Sequence, residues 1–245
     1  MLTMNDNKLK NVYWYYEGKE IEDYNIRQYM RLNYLIKLLK TRMYHVNKRK
    51  TFANVDKNES YNRIIAFDFK MVGDNIPPQP EVDKRNIKYR EIIECPVSCW
   101  TKRESESYSM WKIYATEMGA CIETSVSRLI SSLKIDFSNK SKNKLICGNM
   151  EYKEHTLSTI EEEQLFNKSL YYSEEDEFRF YFHIKSKKGI ESNKDFIRIP
   201  VDTTVLIDEI LLSPFIDKET ANKFARVIKC SYGIDNVKQS NIKIR

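Results

Sequence analysis

Hydrophobic positions along this chain change period repeatedly, and no single period runs for long. Asn11 to Glu17 (NVYWYYE) reads as an aromatic strand bounded by polar residues. Tyr24 to Tyr29 reads as a second strand. It is followed by a helix carrying Leu32, Leu35, Ile36 and Leu39 on one face and basic residues at its end, where they suit the negative end of its dipole. Met43 to Val46 and Tyr61 to Met71 have strand character, with a polar loop from Lys48 to Tyr61 between them. Gly73 to Lys84, which holds Pro77, Pro78 and Pro80, predicts a surface crossing without regular structure.

The pattern is densest from Val97 to Arg128. A strand entering Ser98-Cys99-Trp100 gives way to a polar turn, then to a helix with Met110, Trp111, Tyr114 and Met118 in one stripe. Ser and Glu side chains just before Met110 can cap the free N–H groups at its start. Gly119 is expected to stop the helix. A strand over Ala120 to Thr124 then enters another helix, for which Thr124-Ser125 supplies the N-cap. The plain reading of the stripe is an amphipathic helix packed on a sheet.

Beyond it, Asp136 to Lys144 predicts a loop, Leu145 to Lys153 a strand, and Ser158 to Leu170 an acidic helix or turn. At Glu174 to Phe182 acidic residues change abruptly into an aromatic strand with one arginine, Arg179, inserted. Phe196 to Pro200 and Glu209 to Leu212 are further strands. Asp217 caps a helix with Ala221, Phe224, Ala225 and Ile228 inward, stopped near Gly233, and Val237 to Ile244 adds an edge strand. Short strands interleave irregularly with a few helices, which predicts an α+β fold rather than a doubly wound sheet. No shift of composition marks a boundary, so residues 1–245 read as one domain.

Composition narrows the chemistry. A hydrophobic share of 41% with 31% charged residues describes a globular chain. Neither glycine-rich phosphate-loop pattern is present. No apolar run is long enough to span a membrane, and the first residues lack a signal-peptide core. Five cysteines without a C-x-x-C pair suit reduced thiols in a cytoplasmic protein. Three dispersed histidines argue against a metal site. The net charge of +6 traces to lysine-rich stretches such as Asn47-Lys48-Arg49-Lys50 and Ser138 to Lys144, for which solvated loops are the favoured reading over a nucleic-acid patch.

Three stretches resemble the bacterial domain-of-unknown-function family 2971. They are Gln28-Tyr29-Met30-Arg31-Leu32 with Leu35 and Leu38-Leu39; Ser98-Cys99-Trp100 through Glu106-Ser107 and Met110-Trp111-Lys112-Ile113-Tyr114 to Gly119; and Glu175-Asp176-Glu177-Phe178-Arg179. Pro200-Val201-Asp202, Leu212-Ser213-Pro214 and Ser240 extend the resemblance over residues 24–241. Gln28 stands where that family usually has Arg or Lys, with Arg27 displaced by one. The order of the motifs is similar to that of ADP-ribosyltransferases.

The resemblance implies a split, mixed sheet with flanking helices and NAD as substrate, in a transferase that modifies a protein or nucleic acid. It also implies a toxin or phage-defence role with an antitoxin or defence partner. Cleaving the nicotinamide–ribose bond passes through an oxocarbenium-like centre, which needs an aromatic wall, phosphate-binding groups and a carboxylate. By the resemblance, Glu177 steadies the ribose cation and Glu175 orients or deprotonates the acceptor. Trp100, Trp111 or Tyr114 would form the wall, and Arg27 with Tyr29 would hold the ribose–phosphate end. On a strand, Glu175 and Glu177 share a face with Arg179, so their repulsion is expected to raise one pKa. Two other readings stand beside these: a solvated acidic turn with Arg179 as its surface partner, and a non-enzymatic interaction module of the same fold.

Overall fold

The computed structural model describes residues 11–14, 22–54, 94–153 and 165–243. The strand expected over residues 61–71 and the proline-rich crossing over 73–84 lie outside those residues. The strands are β1 (Val12–Trp14), β2 (Asn25–Arg31), β3 (Met43–Lys48), β4 (Pro96–Thr101), β5 (Gly119–Ser125), β6 (Lys144–Asn149) and β7 (Glu151–Lys153), followed by β8 (Asn167–Ser169), β9 (Glu177–His183), β10 (Glu191–Ser192), β11 (Phe196–Pro200), β12 (Glu209–Leu212) and β13 (Val237–Gln239). Eleven of them form one mixed sheet, and β7 pairs with β8 in parallel as a separate ribbon. With helices at Leu32–Thr41, Val126–Ser132 and Lys218–Tyr232, the architecture is α+β.

Alternation along the strands creates two unlike faces. In β9, Phe178, Phe180 and Phe182 enter the main core with Ile26, Trp100 and Ile122, while Glu177, Arg179 and Tyr181 point the other way. The Leu32–Thr41 helix closes the main core by burying Leu32, Leu35, Leu38 and Leu39, each worth about 2 kcal/mol of apolar burial. The opposite face carries two small apolar clusters. One is built on Val97, Leu165, Phe166 and Tyr181, the other on Tyr29, Trp111, Cys121 and Leu211.

The sheet forks at β4. One edge of β4 pairs fully with β9, and the other is shared. β2 meets β4 at Arg27 and Thr101, while β3 meets it at Asn47–Val97 and Lys48–Pro96. A directed chain of buried hydrogen bonds fills the fork. Trp100 Nε1 donates to Ser98 Oγ (2.8 Å), Ser98 bonds Tyr44, and Tyr44 Oη donates to Gln28 Oε1 (3.1 Å). Gln28 Nε2 then donates to the Cys99 carbonyl (3.1 Å). An amide both accepts and donates, which neither Arg nor Lys can do, and this accounts for glutamine at position 28. Burial pushes the Tyr44 phenol up to about 12, so it remains a donor.

Four expectations are corrected locally. The stripe over Met110 to Met118 is not one helix: Tyr108–Met110 runs straight into a π-turn, Trp111–Ala115, which ends at Thr116. Met118 lies beyond it and is exposed. Gly119 is the first residue of β5 rather than a helix stop. A Cβ there would stand 2.4 Å from both the Cβ and the carbonyl oxygen of Ala115, so the turn packs against the strand only over glycine. Finally, the described end of the expected acidic helix, around Lys168, is strand β8.

Candidate active site

On the face opposite the main core, pairing register sets a row of polar residues across five strands. Glu177 of β9 stands opposite Thr101 of β4, Thr101 opposite Arg27 of β2, Arg27 opposite Glu123 of β5, and Glu123 opposite Glu209 of β12. Directly opposed residues project to the same side, so all five share that face. At roughly 4.8 Å per strand, Arg27 and Glu177 are about 10 Å apart along the row. One residue further on, Gln28 projects into the fork on the other side, which is the inversion that a single step along a strand imposes.

Two carboxylates converge at one end of the row. Glu175 is the last residue of a 3-10 helix, Leu170–Glu175, and Asp176 (φ 41°) turns the chain into β9, which begins at Glu177. Lys168 Nζ reaches both, at 2.6 Å from Glu175 Oε2 and 3.4 Å from Glu177 Oε2, with the Tyr172 ring centroid 4.6 Å away. Arg179, 1% exposed, grips Glu177 with two nitrogens: Nε to Oε1 at 2.5 Å and Nη2 to Oε2 at 3.1 Å. Its Nη1 donates to Tyr181 Oη at 3.2 Å, and Tyr181 donates to the Leu165 carbonyl at 2.6 Å. Tyr114 Oη donates to Glu175 Oε1 at 2.8 Å, and the Glu177 N–H donates to Tyr152 Oη at 2.7 Å.

Electrostatics give these groups definite states. Burial alone would raise the Glu177 pKa, but the Arg179 guanidinium, the Lys168 ammonium and hydrogen bonds from Arg179 and Cys99 bring it down to about 2. Burial opposes the charge on Lys168, yet Glu177 and Glu175 outweigh it and hold the ammonium protonated. Burial, then the nearby Glu175 charge, raise the Tyr114 phenol, and burial does the same to Tyr29. At neutral pH the cluster therefore offers one permanently ionised, immobile carboxylate in Glu177. It also offers a more accessible carboxylate in Glu175 and a protonated phenol at the surface. Glu177 is a source of fixed negative charge, not a proton donor.

The aromatic side adjoins this cluster. Trp111 is fully buried and meets Tyr29 edge to face at 5.1 Å; its Nε1 donates to Glu106 Oε2 at 3.0 Å. The Ser107 N–H donates to Tyr29 Oη at 3.1 Å, and Ser107 Oγ caps the short helix through the Met110 N–H. Tyr114, 42% exposed, is the aromatic of this helix that reaches the rim beside Glu175. Arg27 Nε lies 2.5 Å from Glu123 Oε1, and its Nη1 donates to the Arg103 carbonyl.

Of the residues singled out from sequence, Glu175, Glu177, Arg179 and Tyr114 come together, and Arg27, Tyr29 and Trp111 lie on the same face. Trp100 does not join them. It is 2% exposed in the main core, on the fork side of β4, because alternation turns it away from Thr101 and Cys99. Glu175 is not on the strand with Glu177; a turn, not strand periodicity, brings it alongside. Mutual repulsion does not raise Glu177, since the buried Arg179 and the half-buried Lys168 more than compensate it. Arg179 is no surface partner, and Trp111 packs too deeply to form an open wall by itself. Sequence reasoning missed Lys168, Thr101, Glu123 and Tyr152. A lysine seven and nine residues before two glutamates carries no periodic signal, while Thr101 and Glu123 are found only through cross-strand register. Comparison of the chain with family models, with curated proteins and with solved structures returns no match.

Proposed function

We propose that the chain is an NAD-dependent ADP-ribosyltransferase acting on a macromolecule. The observation that carries this reading is the convergence of Glu175 and Glu177 on Lys168, with Tyr114 at the rim and Arg27 on the same face two strands away. In this role the C1′–nitrogen bond of NAD breaks, nicotinamide leaves with the bonding pair, and an acceptor nucleophile closes on C1′. Glu177, ionised at every working pH, places negative charge beside the developing cation. Glu175 receives the acceptor proton, and the Tyr114 phenol orients Glu175 through its hydrogen bond. Tyr114, exposed at the rim, flanks the nicotinamide, with the buried Tyr29–Trp111 pair packed behind as support. Arg27, released from the Arg103 carbonyl, meets the phosphates while Glu123 fixes its direction. The five free cysteines support action in a reducing compartment, where a bacterial toxin or phage-defence role is consistent with the motif resemblance.

A second reading, an interaction module that has kept the fold without the chemistry, is favoured by one feature. Both Glu177 oxygens are already engaged by buried cations. The test is transfer of label from NAD carrying a radioactive adenylate to the macromolecular fraction of a bacterial lysate. Label in protein or nucleic acid, with stoichiometric nicotinamide release, supports the transferase. Nicotinamide release without incorporation reduces it to a glycohydrolase, and neither event from folded protein leaves the interaction module.

A further inference from the structure

The basic run most visible in the sequence is partly offset in the fold. Lys48 and Lys50 both pair with Glu94, at 2.7 and 2.5 Å, and Arg49 is buried. Free positive charge collects instead where two loops meet at one end of the sheet. The loop before β6 carries Lys140 and Lys142, β6 opens on Lys144, and the turn after β9 carries Lys185, Lys187 and Lys188. All six are exposed, and none pairs with a carboxylate among the described residues. Neither Ser138 to Lys144 nor His183 to Ile190 contains an Asp or Glu. Asp136, just before the first loop, turns its carboxylate onto the N–H and hydroxyl of Ser138, at 2.8 and 3.0 Å.

The two loops are latched together rather than merely adjacent. Asn143 is buried, and its Oδ1 accepts from both the Lys185 and Ser186 N–H groups at 2.9 Å, while its Nδ2 donates to the Asp136 carbonyl at 3.0 Å. The register pair Lys144–His183 continues the join into β6 and β9. One buried amide thus ties the two lysine-bearing segments into a common ridge, against a charge repulsion that untied loops would relieve by spreading apart.

We propose that this ridge is a docking surface for the phosphodiester backbone of nucleic acid. Beside the lysines stand Asn139, Ser186 and Gly189, an amide, a hydroxyl and bare backbone of the kind that contacts phosphate, while the Ser138 and Ser141 hydroxyls donate within their own loop. No aromatic or large aliphatic side chain stands among the lysines to anchor in a lipid interface. Lysine supplies point charge without the planar fork that reads guanine, so binding follows the backbone and ignores base sequence. This surface is separate from the carboxylate cluster, and its proposal does not rest on NAD chemistry.

The test is fluorescence anisotropy of the full chain against duplex DNA, single-stranded DNA and single-stranded RNA of equal length, titrated from low to physiological salt. Expected is binding that weakens steeply with salt. Replacing Lys140, Lys142 and Lys144, or Lys185, Lys187 and Lys188, by serine lowers affinity at least about tenfold and flattens the log–log salt slope by about 2–3. Replacing Lys218, Lys223 and Lys229, on the helix beside β13 at the far end of the sheet, leaves affinity unchanged. The three nucleic acids separate duplex from single-strand recognition. Equal losses in all three lysine variants would reduce the effect to net charge and overturn the proposal. So would absence of binding at low salt, or binding to phosphatidylserine vesicles that nucleic acid does not displace. Thermal melts of each variant confirm that folding is intact.

Discussion

Arg27 and Glu177 face the same side of the sheet with Thr101 between them, while Gln28, one residue along β2, points into the fork on the other side. One step along β2 exchanges faces, so Arg27 and Gln28 serve opposite sides of the sheet. Arg27 lies on the side of the carboxylate cluster, and Gln28 belongs to the packing of the fork.

Replacing Gln28 tests this division. Gln28→Arg removes the acceptor for Tyr44 Oη, since a guanidinium only donates, and brings a charge against the main core. It should cost about 1–3 kcal/mol in urea unfolding and confer no gain in NAD affinity. Improved NAD binding by Gln28→Arg would place the site on the fork side instead.

Glu177 governs acid stability. Its folded pKa, about 2, lies below the ordinary 4.5, so its contribution is full above about pH 4.5 and is lost as pH falls towards 2. Glu177→Gln should flatten stability across that window. At pH 7 it should cost about 3 kcal/mol or more, because the buried Arg179 loses its counter-charge, while Lys168 keeps Glu175. Parallel stability–pH curves for wild type and variant would contradict the assignment.

Gly119→Ala forces a Cβ onto the Ala115 carbonyl and should cost about 1–3 kcal/mol through displacement of the π-turn. Trp111 rides on that turn, so a red-shifted tryptophan emission should accompany the loss. A variant as stable as wild type, with unshifted emission, would mean the turn is not pinned by this contact.

Tyr114→Phe removes one partly exposed hydrogen bond to Glu175 and should change stability by about 1 kcal/mol or less. If Tyr114 orients Glu175 as proposed, NAD turnover should nevertheless fall by about tenfold or more. An unchanged rate would remove Tyr114 from the site.

The elements were legible because their signals are local. An aromatic run following acidic residues marked β9, capping by Asp217 and the stop at Gly233 marked the Lys218–Tyr232 helix, and Ser125 capped the helix after β5. The fork and the polar row were not legible, since register across β9, β4, β2 and β5 joins residues far apart in sequence. Trp100 was misplaced for a related reason. Being aromatic says nothing about which face of β4 it occupies, and that depends on where Thr101 meets Arg27. The meeting of Glu175 with Glu177 was anticipated, but through strand periodicity instead of the 3-10 turn that produces it. Lys168, the residue that joins them, sits on a short strand with no hydrophobic pattern to announce it.

The most direct measurement is nicotinamide release from NAD by wild type, Glu175→Gln and Glu177→Gln in the presence of bacterial lysate, each first shown folded by its thermal melt. Expected is steady release by wild type, with a loss of at least about a hundredfold in both variants. No release by folded wild type, or equal release by all three proteins, contradicts the proposal that these carboxylates cleave NAD.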